Sequence, residues 1–267
     1  MANNSNLSKR AALRQAQEME ERTKRNKRLM GFGFGLAGLI AVVVLGIVIF
    51  QAIGNRTTIA EEQLTPPNST DGYGILLAGK APTADKPHLI IWEDFQCPSC
   101  ASAEATFGAS IAELVDNGDI TAEVRTATFM DRGREDGPSW RTAVAAAAAA
   151  EVGHYDEFHL LAYQNQNTGF TDQVLRKDLP EAAGITGDDL TRFAQLYNSR
   201  AFNDFVKNSS AKFAEDGIEA TPAYIVSGKR LDLGSVNPAP EGFLAAVTEA
   251  WEAGGKKIEE FPEPYQR

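Results

Sequence analysis

The 267-residue sequence predicts an α/β fold interrupted by an all-helical insertion and preceded by one N-terminal transmembrane helix. Three observations carry this. An uncharged apolar run follows a basic N-terminus. Beyond it the pattern reads strand, strand, helix, strand, then a long helical block, then strand, strand, helix, which fits a sheet with helices packed on it. The early strand–crossover–strand order gives parallel pairing, and a late hairpin gives an antiparallel edge. Composition sets outer bounds. Hydrophobic content of 43% and charged content of 23% exclude wholesale disorder. Two cysteines exclude a small disulfide-stapled scaffold. A net charge of −10 argues against a nucleic-acid binder, which needs a basic surface to neutralise phosphates.

The charge is unevenly spread. Residues 1–30 carry eight Lys/Arg and three Glu, so this tail is +5 and the remainder −15. The segment from Gly31 to Ile53 holds no charge, and Gln51 is its one polar side chain. As a helix it would be about 34 Å long, enough for a bilayer core. Basic residues on its N-terminal side predict a cytoplasmic N-terminus and an extracytoplasmic remainder, that is, a single-pass cell-membrane protein with a signal-anchor. A cleaved signal peptide is the rival, but the apolar run is longer than an ordinary signal core.

Residues 54–72 read as a linker, since Thr65-Pro66-Pro67-Asn68-Ser69-Thr70-Asp71-Gly72 holds helix breakers and nothing to pack. Residues 73–253 have the length of one domain, with the helical insertion at about 134–213, and 254–267 read as a flexible tail. Within the domain Tyr73–Ala78 is a short strand. His88–Phe95 is apolar and β-rich, like a buried central strand. Pro98 to Asn117 is a helix ending in an Asn-Gly turn. Ile120–Phe129 alternates as a strand. Trp140 to about Phe213 is helical, and its Ala143–Ala150 run is strongly helix-forming. Ala223–Val226 and Arg230–Leu233 flank Ser227-Gly228 as a hairpin, and Glu241–Ala253 closes the domain as a helix.

Both cysteines fall in Cys97-Pro98-Ser99-Cys100, where a buried strand meets a helix. Pro98 suits the first helical position, whose N–H has no intrahelical partner. Cys97 then sits near the N-cap, facing free backbone N–H groups and the positive end of the helix dipole. That favours thiolate, the species that attacks disulfides. An outward Cys97 would form the mixed disulfide and an inward Cys100 would resolve it. A zinc site fits poorly: only His88, His154 and His159 are available, and His154 and His159 are five apart, off one helical face. A structural disulfide between i and i+3 closes too small a loop to restrain the unfolded chain much. Thr221-Pro222 enters the apolar strand Ala223–Val226; this Pro is either an edge feature or a cis bond at a functional turn.

The run Trp92-Glu93-Asp94-Phe95-Gln96-Cys97-Pro98-Ser99-Cys100 resembles the active-site stretch of DsbA-like thiol–disulfide oxidoreductases of the thioredoxin fold. Ala149-Ala150-Glu151 through Phe158-His159 is similar to that family's inserted helices. Gly217-Ile218 through Val226 is similar to its cis-proline loop and following strand. The resemblance spans about residues 73–253. It implies a thioredoxin-like fold, Cys97 as nucleophile, Cys100 as resolving thiol and Thr221-Pro222 as a cis loop beside the sulfur. That loop would offer backbone groups to a substrate, with Pro98 and Ser99 beside it, and its Pro would exclude a competing metal. The insertion would cap the site and help form an apolar groove.

There are departures from the family pattern. Many members carry a buried Glu six residues before the first Cys, where this chain has Ile91. Glu93 lies nearer; exposed it is merely solvated, buried near Cys100 it is a candidate proton acceptor. Ser99 in place of a His brings no positive charge, which implies a less oxidising pair. His159 reads as a helix histidine packing its ring rather than a base.

The expected function is a protein disulfide oxidoreductase that introduces disulfides into exported cysteine-containing proteins. It would act as a monomer without cofactor or metal, and a quinone-linked membrane partner would reoxidise it. A reductase or isomerase on the same fold, or a binding module for unfolded exported chains, are the alternatives. Isomerases of the superfamily dimerise through an extra N-terminal domain, for which the linker is too short.

Overall fold

The computed structural model describes residues 59–70 and 73–258. Among them, six strands form one mixed sheet: β1 (Ser69–Thr70), β2 (Gly74–Leu76), β3 (His88–Glu93), β4 (Thr121–Thr126), β5 (Ala223–Val226) and β6 (Lys229–Arg230). Their order is β1-β2-β4-β3-β5-β6. β3 and β4 pair in parallel, with His88 opposite Thr121 and Glu93 opposite Thr126. Every other pairing is antiparallel. The parallel pair is joined by the helix α1 (Pro98–Asn117), as a strand–crossover–strand unit requires.

β3 is central because both its faces are covered. Leu89 and Ile91 enter the main core, while Ile90 and Trp92 enter a second cluster with Phe213. α1 and α7 (Pro240–Ala253) pack on the first face, burying Phe107, Ile111, Leu114, Phe243 and Val247. The spacing of Cys100, Ala103, Phe107, Ile111 and Leu114 puts one apolar stripe against the sheet. Gly118 ends α1 in the left-handed region at φ 76°, where a side chain would be strained.

The insertion comprises α2 (Pro138–Glu151), α3 (Tyr155–Gln164), a wide π-helical turn Val174–Asp178 running into the short α4 (Leu179–Ala182), α5 (Gly187–Asn198) and α6 (Asn203–Glu215). The alanine run in α2 is buried along its whole length, so neighbouring helices pack against the helix on every side. Trp140 fixes α2 to α6 by donating its indole N–H to Asn203 Oδ1 at 2.6 Å. α6 covers the second face of the sheet, where Phe213 meets Trp92 edge-on at 5.6 Å between centroids.

Two features differ from the expectations. Residues 60–70 run against the domain instead of hanging free as a linker: Ala60 and Leu64 donate backbone N–H groups to Ser199 and Ala201 carbonyls, and β1 extends the sheet. The Thr70 hydroxyl bonds the buried Glu123 carboxylate, which also accepts from Arg125 Nε at 2.5 Å. These contacts anchor a segment whose composition reads as a turn.

The expected transmembrane helix is corrected, and with it the cell-membrane, single-pass topology with a cytoplasmic N-terminus and extracytoplasmic domain. Among the described residues no helix is long and apolar enough to cross a membrane. The longest, α1, has 20 residues and carries Glu104, Glu113 and Asp116. Residues 31–53, on which the expectation rested, lie outside the described residues, as do the basic tail 1–30 and the end of the C-terminal tail. Among the described residues the fold is therefore an α/β fold with a helical insertion and without a spanning helix.

Candidate redox site

The end of β3 and the start of α1 place the two cysteines. Cys97 is the N-cap of α1, with φ −74° and ψ 116°, and Pro98 is the first helical residue. Cys97 leaves its carbonyl to the N–H groups of Cys100 and Ala101 at 3.1 and 3.2 Å. Both cysteines are free thiols, so this is the reduced pair. Cys97 is 8% exposed and Cys100 2%. Cys97 is thus less open than an outward-facing nucleophile, and the exposed Pro98 and Ser99 form the adjoining surface.

The thiols are unlike. The Cys100 thiol beside Cys97 holds it down to about 5, against the upward push of burial, and the Ser99 and Cys100 N–H groups act in the same downward sense. Cys100 is pushed far up by Cys97, by burial and by the charge of Glu93.

The Thr221–Pro222 peptide is cis. The Cys97 thiol reaches the Thr221 carbonyl at 3.4 Å, so Cys97, Cys100, Thr221 and Pro222 converge from segments more than a hundred residues apart. The Thr221 hydroxyl is buried. Arg230 of β6 donates to the carbonyls of Ala220 and Pro222 at 3.4 and 3.2 Å and so braces this loop.

Behind the cysteines the insertion contributes directly. Gln166 donates through Nε2 to Phe95 O at 2.8 Å and to Cys97 O at 3.0 Å. Glu93 is 3% exposed and meets His159 Nε2 at 2.5 Å. His159 is raised to about 9: burial opposes its charge, but Glu93, Glu104 and Asp156 outweigh that. His159 is therefore more than a packing ring. Asp94 is fully buried beside them and accepts from Gln96 N, Met130 N and the Ser139 hydroxyl. Burial raises it to about 6 in spite of those bonds.

A groove of about 760 Å³ lies beside Ser99 and Pro222, between α1 and the 230–236 loop, and is also lined by Phe107, Arg230, Leu231 and Leu233. None of its lining residues comes from the insertion, which was expected to help form it. The insertion lies instead behind the cysteines, where α3 packs on α1.

Sequence reasoning missed Gln166 and Arg230, whose contacts span 69 and 8 residues and follow no local pattern. For the burial of Glu93 a signal existed: in a period-2 strand it shares the inward side of Leu89 and Ile91.

A free thiol pair at the head of a helix, facing a cis-proline loop across a mixed sheet, defines a protein of the thioredoxin class. The family model described as Thioredoxin matches residues 79–248, and the chain belongs to that family. Three solved structures share the fold, all MdbA proteins, each a thiol-disulfide oxidoreductase. That of Corynebacterium diphtheriae is 23% identical, with a TM-score of 0.56, covering 71% of this chain and 95% of its own. Those of Corynebacterium matruchotii and Actinomyces oris are 22% and 19% identical, with TM-scores of 0.54 and 0.59. They cover 71% and 73% of this chain, and 94% and 96% of their own. At these identities the likeness concerns the fold. No curated protein matches the chain.

Proposed function

We propose that the chain is a thiol–disulfide oxidoreductase that introduces disulfides into exported, cysteine-containing proteins through Cys97 and Cys100. The observation that carries this is the asymmetry of the pair, one thiol lowered to about 5 and the other raised, with Cys97 against the cis Thr221–Pro222 loop and Ser99 and Pro222 on the wall of an open groove. A substrate thiolate attacks Cys97 Sγ of the oxidised pair, and Cys100 leaves and takes up a proton. A second substrate thiol then attacks its partner sulfur in the mixed disulfide, and Cys97 leaves as thiolate. A low pKa makes Cys97 a good leaving group and stabilises the reduced enzyme, which is what makes a dithiol pair oxidising.

The Thr221 carbonyl and the groove beside Pro222 are where an extended substrate segment would lie. Reoxidation by a quinone-linked membrane partner completes the cycle. A Cys97 pKa near 5 falls between the values of about 7 and 3.5 known for the reducing and strongly oxidising extremes, in keeping with Ser99 adding no charge.

The test is the reduction potential of the full chain in glutathione buffers. A value toward about −120 mV supports disulfide introduction, and a value near about −270 mV reverses the direction. Cys97→Ser separates this from a binding module: an oxidoreductase loses thiol exchange, whereas a chain-binding module keeps its effect.

A further inference from the structure

Arg230, on β6, ties the cis-proline loop to the groove. Its side chain is exposed, and its Nη2 donates to Ala220 O at 3.4 Å and to Pro222 O at 3.2 Å. The carbonyl between those two, that of Thr221, goes to the Cys97 thiol at 3.4 Å. The guanidinium and the Cys97 sulfur therefore meet the same three residues. The hairpin sets this up: Arg230 pairs with Ile225, and the chain beyond it runs back along the loop that enters β5. Both loop bonds leave from Nη2, and among the described residues Nη1 and Nε keep their donors for a ligand.

Arg230 is also the one cation among the described residues that line the groove. Asp232 is the one acid there, and its carboxylate is turned onto its own loop, where it accepts from Gly234 N at 3.2 Å. The rest of the lining is uncharged. The sign of the charge beside Pro222 is thus set by Arg230. On its other side Arg230 borders a second hollow with Asp216 and Glu219. Asp216 is engaged by Lys212 at 2.7 Å and Arg125 at 3.6 Å, and among the described residues neither acid pairs with Arg230.

A guanidinium with spare donors matches a carboxylate, which it grips through two parallel N–H···O bonds. An extended chain rises about 3.3 Å per residue, and Arg230 bonds the residue next to the one that meets Cys97. We propose that Arg230 determines specificity in thiol exchange: it selects cysteine-bearing segments that carry Asp or Glu within about two residues of the reacting cysteine. This rests on the oxidoreductase reading and gives its substrates a chemical class.

The full chain, oxidised beforehand, is mixed with single-cysteine peptides that differ only at the positions about two residues to either side of the cysteine, Glu in one peptide and Lys in the other. The peptide thiolate attacks Cys97 Sγ, the Cys97–Cys100 bond breaks, and Cys100 takes up a proton. A second peptide thiolate attacks the peptide sulfur of the mixed disulfide, and Cys97 leaves with the electron pair. Two peptides are oxidised to one disulfide, and the enzyme pair is reduced. Acid quenching and mass spectrometry give the rate of mixed-disulfide formation. A neighbouring charge also alters the peptide thiol itself, so the readout is the Glu-to-Lys rate ratio compared between parent and variants. Both that effect and any uniform loss from a loosened loop cancel in the comparison.

An exposed ion pair is worth a factor of up to about five. The ratio is expected to fall about fivefold from the parent to Arg230→Gln, and further in Arg230→Glu, which repels the acidic peptide. Arg230→Lys keeps the parental ratio within about twofold, since it retains the charge while losing the planar fork. A ratio that is the same in the parent and in Arg230→Glu overturns the inference. So does a fall in Arg230→Lys as deep as in Arg230→Gln, because loop shape and not charge would then set the preference. If Arg230→Glu misfolds, Arg230→Gln carries the test. If the parent reacts with neither peptide, the oxidoreductase reading falls and this inference with it. If it reacts with both and no substitution moves the ratio, this inference alone falls.

Discussion

Gln166 holds the carbonyl of Cys97 at 3.0 Å and that of Phe95 at 2.8 Å, so an amide from the insertion fixes the turn that carries Cys97. Both bonds are made by one Nε2. Gln166→Ala is therefore expected to cost roughly 1–2 kcal/mol, two hydrogen bonds of about 1 kcal/mol each. Urea unfolding of the reduced chain reads this. Loss of less than a few tenths of a kcal/mol would mean that water replaces the amide.

The largest downward influence on Cys97 is the Cys100 thiol. Cys97 should titrate near 5 by thiolate absorbance in the reduced chain. Cys100→Ala removes the donor, so the midpoint should move up toward the ordinary thiol range. A midpoint unchanged in that variant would assign the effect to the helix N-terminus instead.

Cys97 ionised and Cys100 protonated means that reduction takes up one proton above pH 5 and two below. The potential should fall by about 30 mV per pH unit between pH 6 and 8, and by about 59 mV per unit below pH 5. Equilibration with glutathione across that range measures the break.

The share of stability that His159 supplies should decline as the medium becomes alkaline. His159 is raised from 6.5 to about 9 in the folded chain, so its contribution is complete below pH 6.5 and lost as pH rises through 9. The size is on the order of 3 kcal/mol. Asp94 has the same sign in a lower window. Raised from 3.8 to about 6, it makes the folded chain hold a proton longer than the unfolded one, so stability falls as pH climbs from 4 to 6. Thermal unfolding of the reduced chain from pH 3.5 to 10 tests both. The stability difference between the parent and His159→Phe should shrink as pH rises through 9.

Ala147, in the middle of α2, is fully buried. Ala147→Leu adds volume where neighbours already touch the helix surface, and is expected to cost about 1–3 kcal/mol. The melting temperature measures it. A neutral result would reveal slack between α2 and its neighbours.

Much of the fold was legible because its signals are local. Pro98 starts α1 and Asn117-Gly118 ends it, and the Leu89-Ile90-Ile91-Trp92 run marks a strand buried on both faces. The convergence of Thr221-Pro222 on Cys97 followed from family resemblance, not from spacing. β1 was hidden because two residues show no periodicity, and Asn68-Ser69-Thr70 has turn composition. The tie between Glu93 and His159 joins residues 66 apart in sequence, and no local pattern encodes such a pair. The side of the site that the insertion occupies is a matter of helix packing, which the helical pattern alone leaves open.

The two outer strands of the sheet, β1 and β6, are each two residues long. A strand edge of that length gives an extended chain almost nothing to zip onto. Were the chain to act on unfolded substrates, as proposed, a long open strand edge would carry the hazard of templating their aggregation. With the borders blunted, the groove by Pro222 is where such a segment would lie on the proposed reading, free to leave without being woven into the sheet.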